Sequence, residues 1–120
     1  MANNNLLLQN IIEGIKEKKG LEIIDLDLTK VQNSICDHFI ICHANSNTQV
    51  SAIADSIEKK VKENLNQRVD HREGIENAMW ILLDYTDIVV HVFQKEYRDY
   101  YCLEELWGDA HISRIEENYK

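Results

Sequence analysis

The sequence MWILLDYTDIVVHVF, residues 79–93, holds the clearest structural signal in the chain. Its two apolar runs, residues 79–84 and 87–93, are separated only by Tyr85 and Thr86, which predicts two antiparallel strands joined by a tight turn. Thr86 is a poor residue for a primed turn, so a longer or irregular loop is the alternative. Because side chains alternate between the faces of a strand, this register gathers a wholly apolar set on one face. We expect that set to face the core: Met79, Ile81, Leu83, Ile88, Val90 and Val92.

The opposite face of the predicted hairpin carries mixed side chains. With a two-residue loop, Trp80 lies opposite His91 and Asp84 opposite Asp87. Aromatic rings beside carboxylates and aliphatic side chains are typical of protein-binding surfaces. The pattern supports equally well a second interpretation, in which a helix covers Trp80. The candidate partner-binding residues combine this face with two residues of the next helix: Trp80, Leu82, Asp84, Asp87, His91, Arg98 and Tyr101.

Outward from the hairpin, the pattern predicts alternating helices and strands. Apolar residues at helical spacing or helix-favouring composition predict helices at 5–19, 46–65 and 95–108, the last in one or two pieces. Short apolar runs predict strands at 21–28, 36–43 and 68–74. Ser46 with Gln49 matches a capping box, and Gly20 predicts the end of the first helix. This order predicts one α/β domain, residues 1–110, with helices packed on a mixed sheet, followed by a polar tail at 111–120.

Length and charge restrict the classes of function. The 120 residues fit one domain, and the formal net charge is −8. Such a charge repels phosphate backbones, so extensive direct nucleic-acid binding is not expected and basic protein partners are favoured. No stretch approaches the roughly 20 apolar residues of a membrane span, and the N-terminus resembles neither a signal peptide nor a transit peptide. We therefore expect a cytoplasmic protein, without membrane contact, whose three cysteines are reduced thiols.

A zinc site is one chemistry that the sequence suggests. Cys36, His38, Cys42 and His43 lie close together in the chain. On a strand, however, His43 points away from the other three, and His38 and Cys42 lie about 13 Å apart. Zinc ligands must converge within about 2.3 Å of one ion, so no metal site is predicted. No local motif supports a catalytic cysteine either.

Paired carboxylates suggest a second chemistry. Asp25 and Asp27 share one face of a strand, a pattern that can hold Mg²⁺ beside a phosphate. The alternative function is therefore a nucleotidyltransferase-like enzyme that uses Asp25 and Asp27 with Mg²⁺. Such an enzyme also needs a third acid and a phosphate-binding loop, and no glycine-rich loop of that kind is present. We favour a protein without catalytic residues or cofactor, in which the two acids face solvent near a strand end.

Residues 73–110 resemble the signature of the Iojap or ribosomal silencing factor family. The matching positions are Glu73, Gly74, Trp80, Leu83, Asp84, Asp87, Val90, His91, Val92, Phe93, Arg98, Tyr101, Leu103, Glu104, Leu106, Trp107, Asp109 and Ala110. Upstream, residues 37–41 resemble the family's D-Y-F-V-I strand, and residues 46–54 resemble the start of its helix. The resemblance spans roughly residues 8–110. The departures affect loop geometry: Asn45, Ala78 and Thr86 stand where the family often has Gly, and His38 replaces the usual Tyr.

The resemblance implies both a fold and a function. It implies a mixed five-stranded sheet with a nucleotidyltransferase-like topology but no transferase activity. It also implies binding to the large ribosomal subunit through the interface protein of the universal fourteenth family. A factor bound there occupies space that the small subunit needs. Translation is then repressed when nutrients are scarce, or immature large subunits are kept from initiation as part of ribosome biogenesis. Some members of the family are homodimers, and the resemblance leaves the oligomeric state of this chain open.

Overall fold

One mixed β-sheet with helices on both faces organises the computed structural model, which describes residues 4–32, 34–108, 110–117 and 119. The helices in this part of the chain are α1 (Asn4–Glu17), α2 (Asn47–Leu65), α3 (Lys95–Tyr101) and α4 (Leu103–Leu106). The strands are β1 (Leu21–Asp27), β2 (His38–Ala44), β3 (His71–Glu73), β4 (Trp80–Asp84), β5 (Ile88–Gln94) and β6 (His111–Arg114). The predicted α/β class, the mixed sheet and the division of the last helix into two pieces are confirmed.

The strands lie in the order β3-β4-β5-β2-β1-β6. Strands β2 and β5 run parallel, and the other neighbouring pairs are antiparallel. The sixth strand corrects the expectation of five strands and a polar tail, because β6 lies beyond the predicted boundary at residue 110. Its Ile112 pairs with Leu26 of β1. The polar sequence of β6 has little of the apolar alternation that predicts a strand. The strand forms hydrogen bonds with backbone groups along the edge of β1 that would otherwise lack partners.

Helices α1 and α2 pack together over one face of the sheet, called here the covered face. The side chains buried there include Ile11, Ile15, Ile40, Val50, Ile53, Ile57, Ile81, Leu83, Val90 and Val92. The two helices approach closely at Gly14, where an added Cβ would lie 2.8 Å from the Cα of Ile57. The hairpin residues predicted for the core lie on this face, except Met79. Met79 is 41% exposed because it precedes β4, next to Ala78 with its positive φ.

The hairpin register differs from the prediction by two residues. Trp80 pairs with Phe93, and Leu82 pairs with His91. A two-residue primed turn would require positive φ at Tyr85, and in type I′ at Thr86 as well, whereas the observed longer turn has positive φ only at Thr86. A shift of two residues leaves every side chain on its predicted face, so the division into an apolar and a mixed face is confirmed while the cross-strand pairs are wrong.

The capping residues predicted at the end of α1 and the start of α2 form only some of the expected hydrogen bonds. The Oγ of Ser46 accepts the Gln49 N–H at 3.2 Å, but the Gln49 side chain donates to the carbonyl of Lys18, so only half of the predicted capping box forms. After α1, Lys19 adopts positive φ, and Gly20 donates its N–H to the carbonyl of Ile15 at 3.0 Å. This is a Schellman motif with Lys19 at the C′ position, where Gly20 was expected, and Gly20 at C″.

Candidate functional site

Trp80 lies half-buried within a group of rings on the second face of the sheet, called here the Trp80 face. Its ring stacks on Phe93 with a centroid separation of 4.8 Å, and Tyr101 of α3 contacts it at 4.9 Å. The indole N–H donates to Nδ1 of His91 at 3.0 Å. The interpretation in which a helix covers Trp80 therefore holds in part, and the interpretation as a binding surface stays a prediction. Helix α3 covers some of the ring, and the remainder is open to solvent.

His91 lies beneath this ring rather than on the surface. It is 4% exposed, and its ring also contacts Phe39 at a centroid separation of 4.8 Å. Because Nδ1 accepts the indole N–H, the proton of the neutral imidazole is on Nε2, which has no hydrogen-bond partner in the described part of the chain. Burial lowers the pKa of His91 to about 4, so the ring is neutral at pH 7. The expectation that His91 lies on an exposed docking face is wrong, because it orients Trp80 from below.

Arg98 is also buried, at 7% exposure. Its guanidinium donates to the carbonyl of Glu22 at 2.7 Å and to Nδ1 of His43 at 2.9 Å. The carbonyl of Glu22 is available because β1 has an irregularity there, and Glu22 itself has φ +46. Burial and the Arg98 charge lower the pKa of His43. Arg98 thus fixes α3 to β1 and positions Tyr101 one turn later, so it supports the surface without being part of it.

The accessible part of the predicted site is smaller than the sequence suggests. Leu82 and Asp84 are half-buried, and Tyr101 is 44% exposed. An oxygen of Asp84 accepts the Thr86 N–H at 2.7 Å, which stabilises the turn. Asp87 is half-buried in that turn and precedes β5, so the predicted pairing of Asp87 with Asp84 across the hairpin is wrong; Asp84 pairs with Val89.

Strand β3 adds two residues that sequence reasoning missed. His71 pairs with Asp84 and Glu73 pairs with Leu82, so both extend the same face, and they bond to each other at 2.9 Å. A short polar strand gives no alternation from which this could be read. Beside Tyr101, a cleft of about 300 Å³ is lined by Glu96, Tyr97, Tyr100 and Tyr101. We call the accessible set the Trp80 surface: His71, Glu73, Trp80, Leu82, Asp84 and Tyr101.

The two carboxylates of the alternative enzyme are occupied by other contacts. Asp25 bonds to Nδ1 of His38 at 2.8 Å, and this hydrogen bond raises the pKa of His38. Asp27 accepts the N–H and hydroxyl of Thr29, which lowers the pKa of Asp27. Across the described ranges, no three His, Cys, Asp or Glu side chains are grouped as metal ligands. The geometry gives the Mg²⁺-dependent alternative no support.

The thiols considered for zinc binding are separated by the sheet. Cys36 packs in the cluster on the Trp80 face, whereas Cys42 lies in the core under α1 and α2. Burial raises the pKa of Cys36 to about 11 and that of Cys42 to about 12, so both remain protonated thiols at pH 7.

Among the described helices, none is long and apolar enough to cross a membrane.

Comparison with known proteins gives a consistent result. The family model described as "Ribosomal silencing factor during starvation" matches residues 2–120. A ribosomal silencing factor RsfS from Halalkalibacterium halodurans is 42% identical over 114 residues, covering 95% of this chain and 96% of the relative. The chloroplastic protein Iojap of Zea mays is 39% identical over 72 residues, 60% of this chain and 31% of that protein.

A solved structure from Chromobacterium violaceum has the same architecture. It superposes with a TM-score of 0.83 at 37% sequence identity, covering 89% of this chain and 88% of that one. The family name denotes a silencing factor rather than an enzyme. The family model spans nearly the whole sequence, and the bacterial relative aligns over almost its full length. The chain therefore belongs to the ribosomal silencing factor family, RsfS.

Proposed function

We propose that this protein silences translation by binding the large ribosomal subunit through the Trp80 surface, which keeps the small subunit from joining. The partner that the family resemblance implies is the large-subunit interface protein of the universal fourteenth family. The observation that carries the proposal is the half-open Trp80–Tyr101 ring pair, with the carboxylates of Asp84 and Glu73 beside it. Aromatic side chains of this kind are the usual anchors of protein interfaces.

The charges on this surface favour a basic partner. Asp84 and Glu73 can accept charge-assisted hydrogen bonds from Lys or Arg side chains, while Trp80 and Leu82 provide apolar area for desolvation. The cleft beside Tyr101 offers space for one inserted side chain. The net charge of −8 would also accelerate encounter with a basic protein, so binding should weaken as salt increases.

The surface is organised before any partner binds. The hydrogen bond from Trp80 to His91 fixes the indole, and the buried contacts of Arg98 hold α3 and therefore Tyr101 in place. Side chains that are already ordered lose less conformational entropy on binding, which leaves more of the contact energy available for affinity. The rigid support beneath an open ring pair is therefore consistent with a binding role.

Silencing in this proposal requires occupancy and no chemistry. A bound factor excludes the small subunit when their positions on the large subunit overlap, and the degree of exclusion follows from its affinity and concentration. The same exclusion would keep immature large subunits from initiation, which gives a role in biogenesis. A factor acting in this way would work in the cytoplasm, where it meets ribosomal subunits. The proposal holds for a monomer and for a homodimer.

The test is sedimentation with purified ribosomal subunits. The protein should comigrate with large subunits, and adding it before small subunits should reduce the amount of joined ribosomes. Tyr101→Ala should weaken large-subunit binding by roughly tenfold, which corresponds to about 1.4 kcal/mol. Asp84→Asn retains the oxygen that accepts the Thr86 N–H but removes the charge, and it should also weaken binding.

A matched control is Asp55→Asn. Asp55 is exposed on α2, on the covered side of the sheet, and its replacement changes the net charge by the same amount. It should leave large-subunit binding unchanged. Equal binding by wild type, Tyr101→Ala and Asp84→Asn, all folded, would place the docking surface elsewhere. Unchanged subunit joining at saturating protein would refute the proposed mechanism itself.

A further inference from the structure

A basic groove lies on the other side of the molecule from the Trp80 surface. Its volume is about 490 Å³, and its lining residues are Glu58, Lys59, Lys62, Gln67, Arg68, Val69 and Arg72. The groove runs between the C-terminal half of α2 and strand β3. Arg72 pairs with Leu83 in the sheet, so its side chain extends on the covered face, toward α2. The Trp80 surface and the groove therefore occupy opposite sides of the same sheet edge.

The groove reverses the charge of the molecule locally. Residues 58–72 contain five Lys or Arg against three Asp or Glu, whereas the whole chain has a net charge of −8. Lys59, Lys62, Arg68 and Arg72 are all exposed. Among the described residues, Arg72 forms an ion pair with Glu58 at 3.2 Å, and the Lys62 ammonium donates to Asn66 at 2.7 Å. Lys59 and Arg68 have no carboxylate within ion-pair distance in that part of the chain.

We propose that this groove binds the phosphate backbone of RNA. Four exposed cations on flexible side chains suit a ligand with several regularly spaced negative charges, because each cation alone binds an anion weakly in water. The lining contains no aromatic side chain on which a base could stack. Recognition would thus be electrostatic, independent of base sequence and limited to a few phosphates. The net negative charge remains unfavourable for extensive nucleic-acid contact.

Glu58, the acidic residue of the groove, provides a further test of the proposed RNA ligand. The Glu58 carboxylate neutralises Arg72, so it opposes an anionic ligand. Replacing Glu58 by Gln preserves its size and frees the guanidinium. An RNA-binding groove should therefore gain affinity from Glu58→Gln and lose affinity when Lys59 and Arg68 are neutralised. A gain of affinity in one variant and a loss in the other would distinguish an anion-binding site from an exposed charged surface that binds no ligand.

The experiment measures binding of a short, fluorescently labelled RNA duplex by anisotropy at low ionic strength. Lys59→Gln with Arg68→Gln should weaken binding by roughly tenfold, and the slope of log affinity against log salt should fall by about two. The matched control is Lys18→Gln with Lys30→Gln, two exposed lysines outside the groove, which gives the same net charge. This control should retain most of the affinity, and Glu58→Gln should bind more tightly than wild type.

Three results would overturn the proposal. The first is no binding of RNA by wild type at low salt. The second is that Lys59→Gln with Arg68→Gln and the control Lys18→Gln with Lys30→Gln lose equal affinity, which would mean that binding depends only on the net charge of the protein. The third is competition by an acidic polypeptide as effective as that by RNA, which would assign the groove to protein. Tyr101→Ala should leave RNA binding intact, so a failure of this proposal is distinguishable from a failure of the Trp80 surface as the ribosome-docking site.

Discussion

The two faces of the sheet are closed in different ways. On the covered face, α1 and α2 bury an aliphatic layer in which Ile40, Ile53 and Val90 are inaccessible to solvent. On the Trp80 face, the short helices α3 and α4 cover the centre of the sheet but leave the β4 end half-open. We expect the covered face to contribute more to stability than the β4 end of the Trp80 face. The Trp80 face buries less apolar area at its β4 end and leaves there a surface that a partner can reach.

The interior chemistry of the two faces differs as well. The buried layer under α1 and α2 is almost wholly aliphatic. The Trp80 face places a buried imidazole, His91, among aromatic rings. A buried neutral histidine makes stability depend on pH, whereas aliphatic packing does not. The core on the Trp80 face should therefore be the part of the molecule that responds to acid.

Adjacent leucines offer the most direct test of this comparison. Leu83 is fully buried on the covered face, and Leu82 is half-buried on the other. Leu83→Ala should reduce the free energy of unfolding by about 3 kcal/mol through lost burial and a cavity, and Leu82→Ala by about 1 kcal/mol. Urea denaturation measures both. Similar losses for the two variants would show that the faces contribute equally, contrary to the comparison above.

Acid should act through His91. Burial lowers the folded-state pKa of His91 to about 4 from its ordinary value of 6.5, so the unfolded chain binds a proton first as the pH falls. The stabilisation is present above about pH 6.5 and should be lost progressively toward pH 4, by about 2–3 kcal/mol in all. In His91→Gln, this component should disappear. Unfolding free energies of the two proteins, compared at pH 7 and pH 4.5, measure it.

The His38–Asp25 pair contributes with the opposite sign. The pKa of His38 is raised, so its stabilisation is present at low pH and is lost as the pH rises through that value. Taking the difference between wild type and His91→Gln removes this common background. A difference that stays constant from pH 7 to pH 4.5 would contradict the assignment of His91 as a buried neutral ring.

The alternation in residues 79–93 was enough to predict which face each residue of β4 and β5 occupies, although Met79, just before β4, is exposed. Period-two patterning is local, and it depends only on the apolar requirement of one covered face. The pairing register is less local, because it depends on which turn Tyr85 and Thr86 can adopt. Positive φ at Thr86 alone shifts the pairs by two residues without moving any side chain to the other face.

The burial of individual site residues could not be predicted from the sequence. Arg98 finds its partners 55 and 76 residues away, in His43 and Glu22, and no local pattern reports such contacts. His91 occupies the polar position of an alternating strand, yet Trp80 and Phe39 enclose it. Strand β6 has little apolar alternation and forms because β1 offers an edge. The signature residues therefore suggest a candidate site on this face of the hairpin, and tertiary contacts decide which of them reach its surface.

The smallest predicted effect isolates the hydrogen bond that supports the open face. Trp80→Phe keeps an aromatic ring against Phe93 and Tyr101 but removes the N–H that His91 accepts. A buried acceptor without its donor costs about 1 kcal/mol or slightly more, so the free energy of unfolding should fall by about that amount. Tyr101→Phe is the control. It removes a hydroxyl from a side chain that is 44% exposed, and should cost almost nothing.

A double variant decides whether the hydrogen bond itself is responsible. When Trp80→Phe is combined with His91→Leu, neither partner remains, so no unpaired polar group is buried and much of the loss should be recovered. If the double variant instead loses the sum of the two single effects, ring packing rather than the hydrogen bond holds Trp80 in place. Large-subunit binding measured on the same four proteins then separates the two roles of Trp80. A partner that uses the ring as an anchor should still bind Trp80→Phe measurably, while the support from His91 should appear mainly in stability.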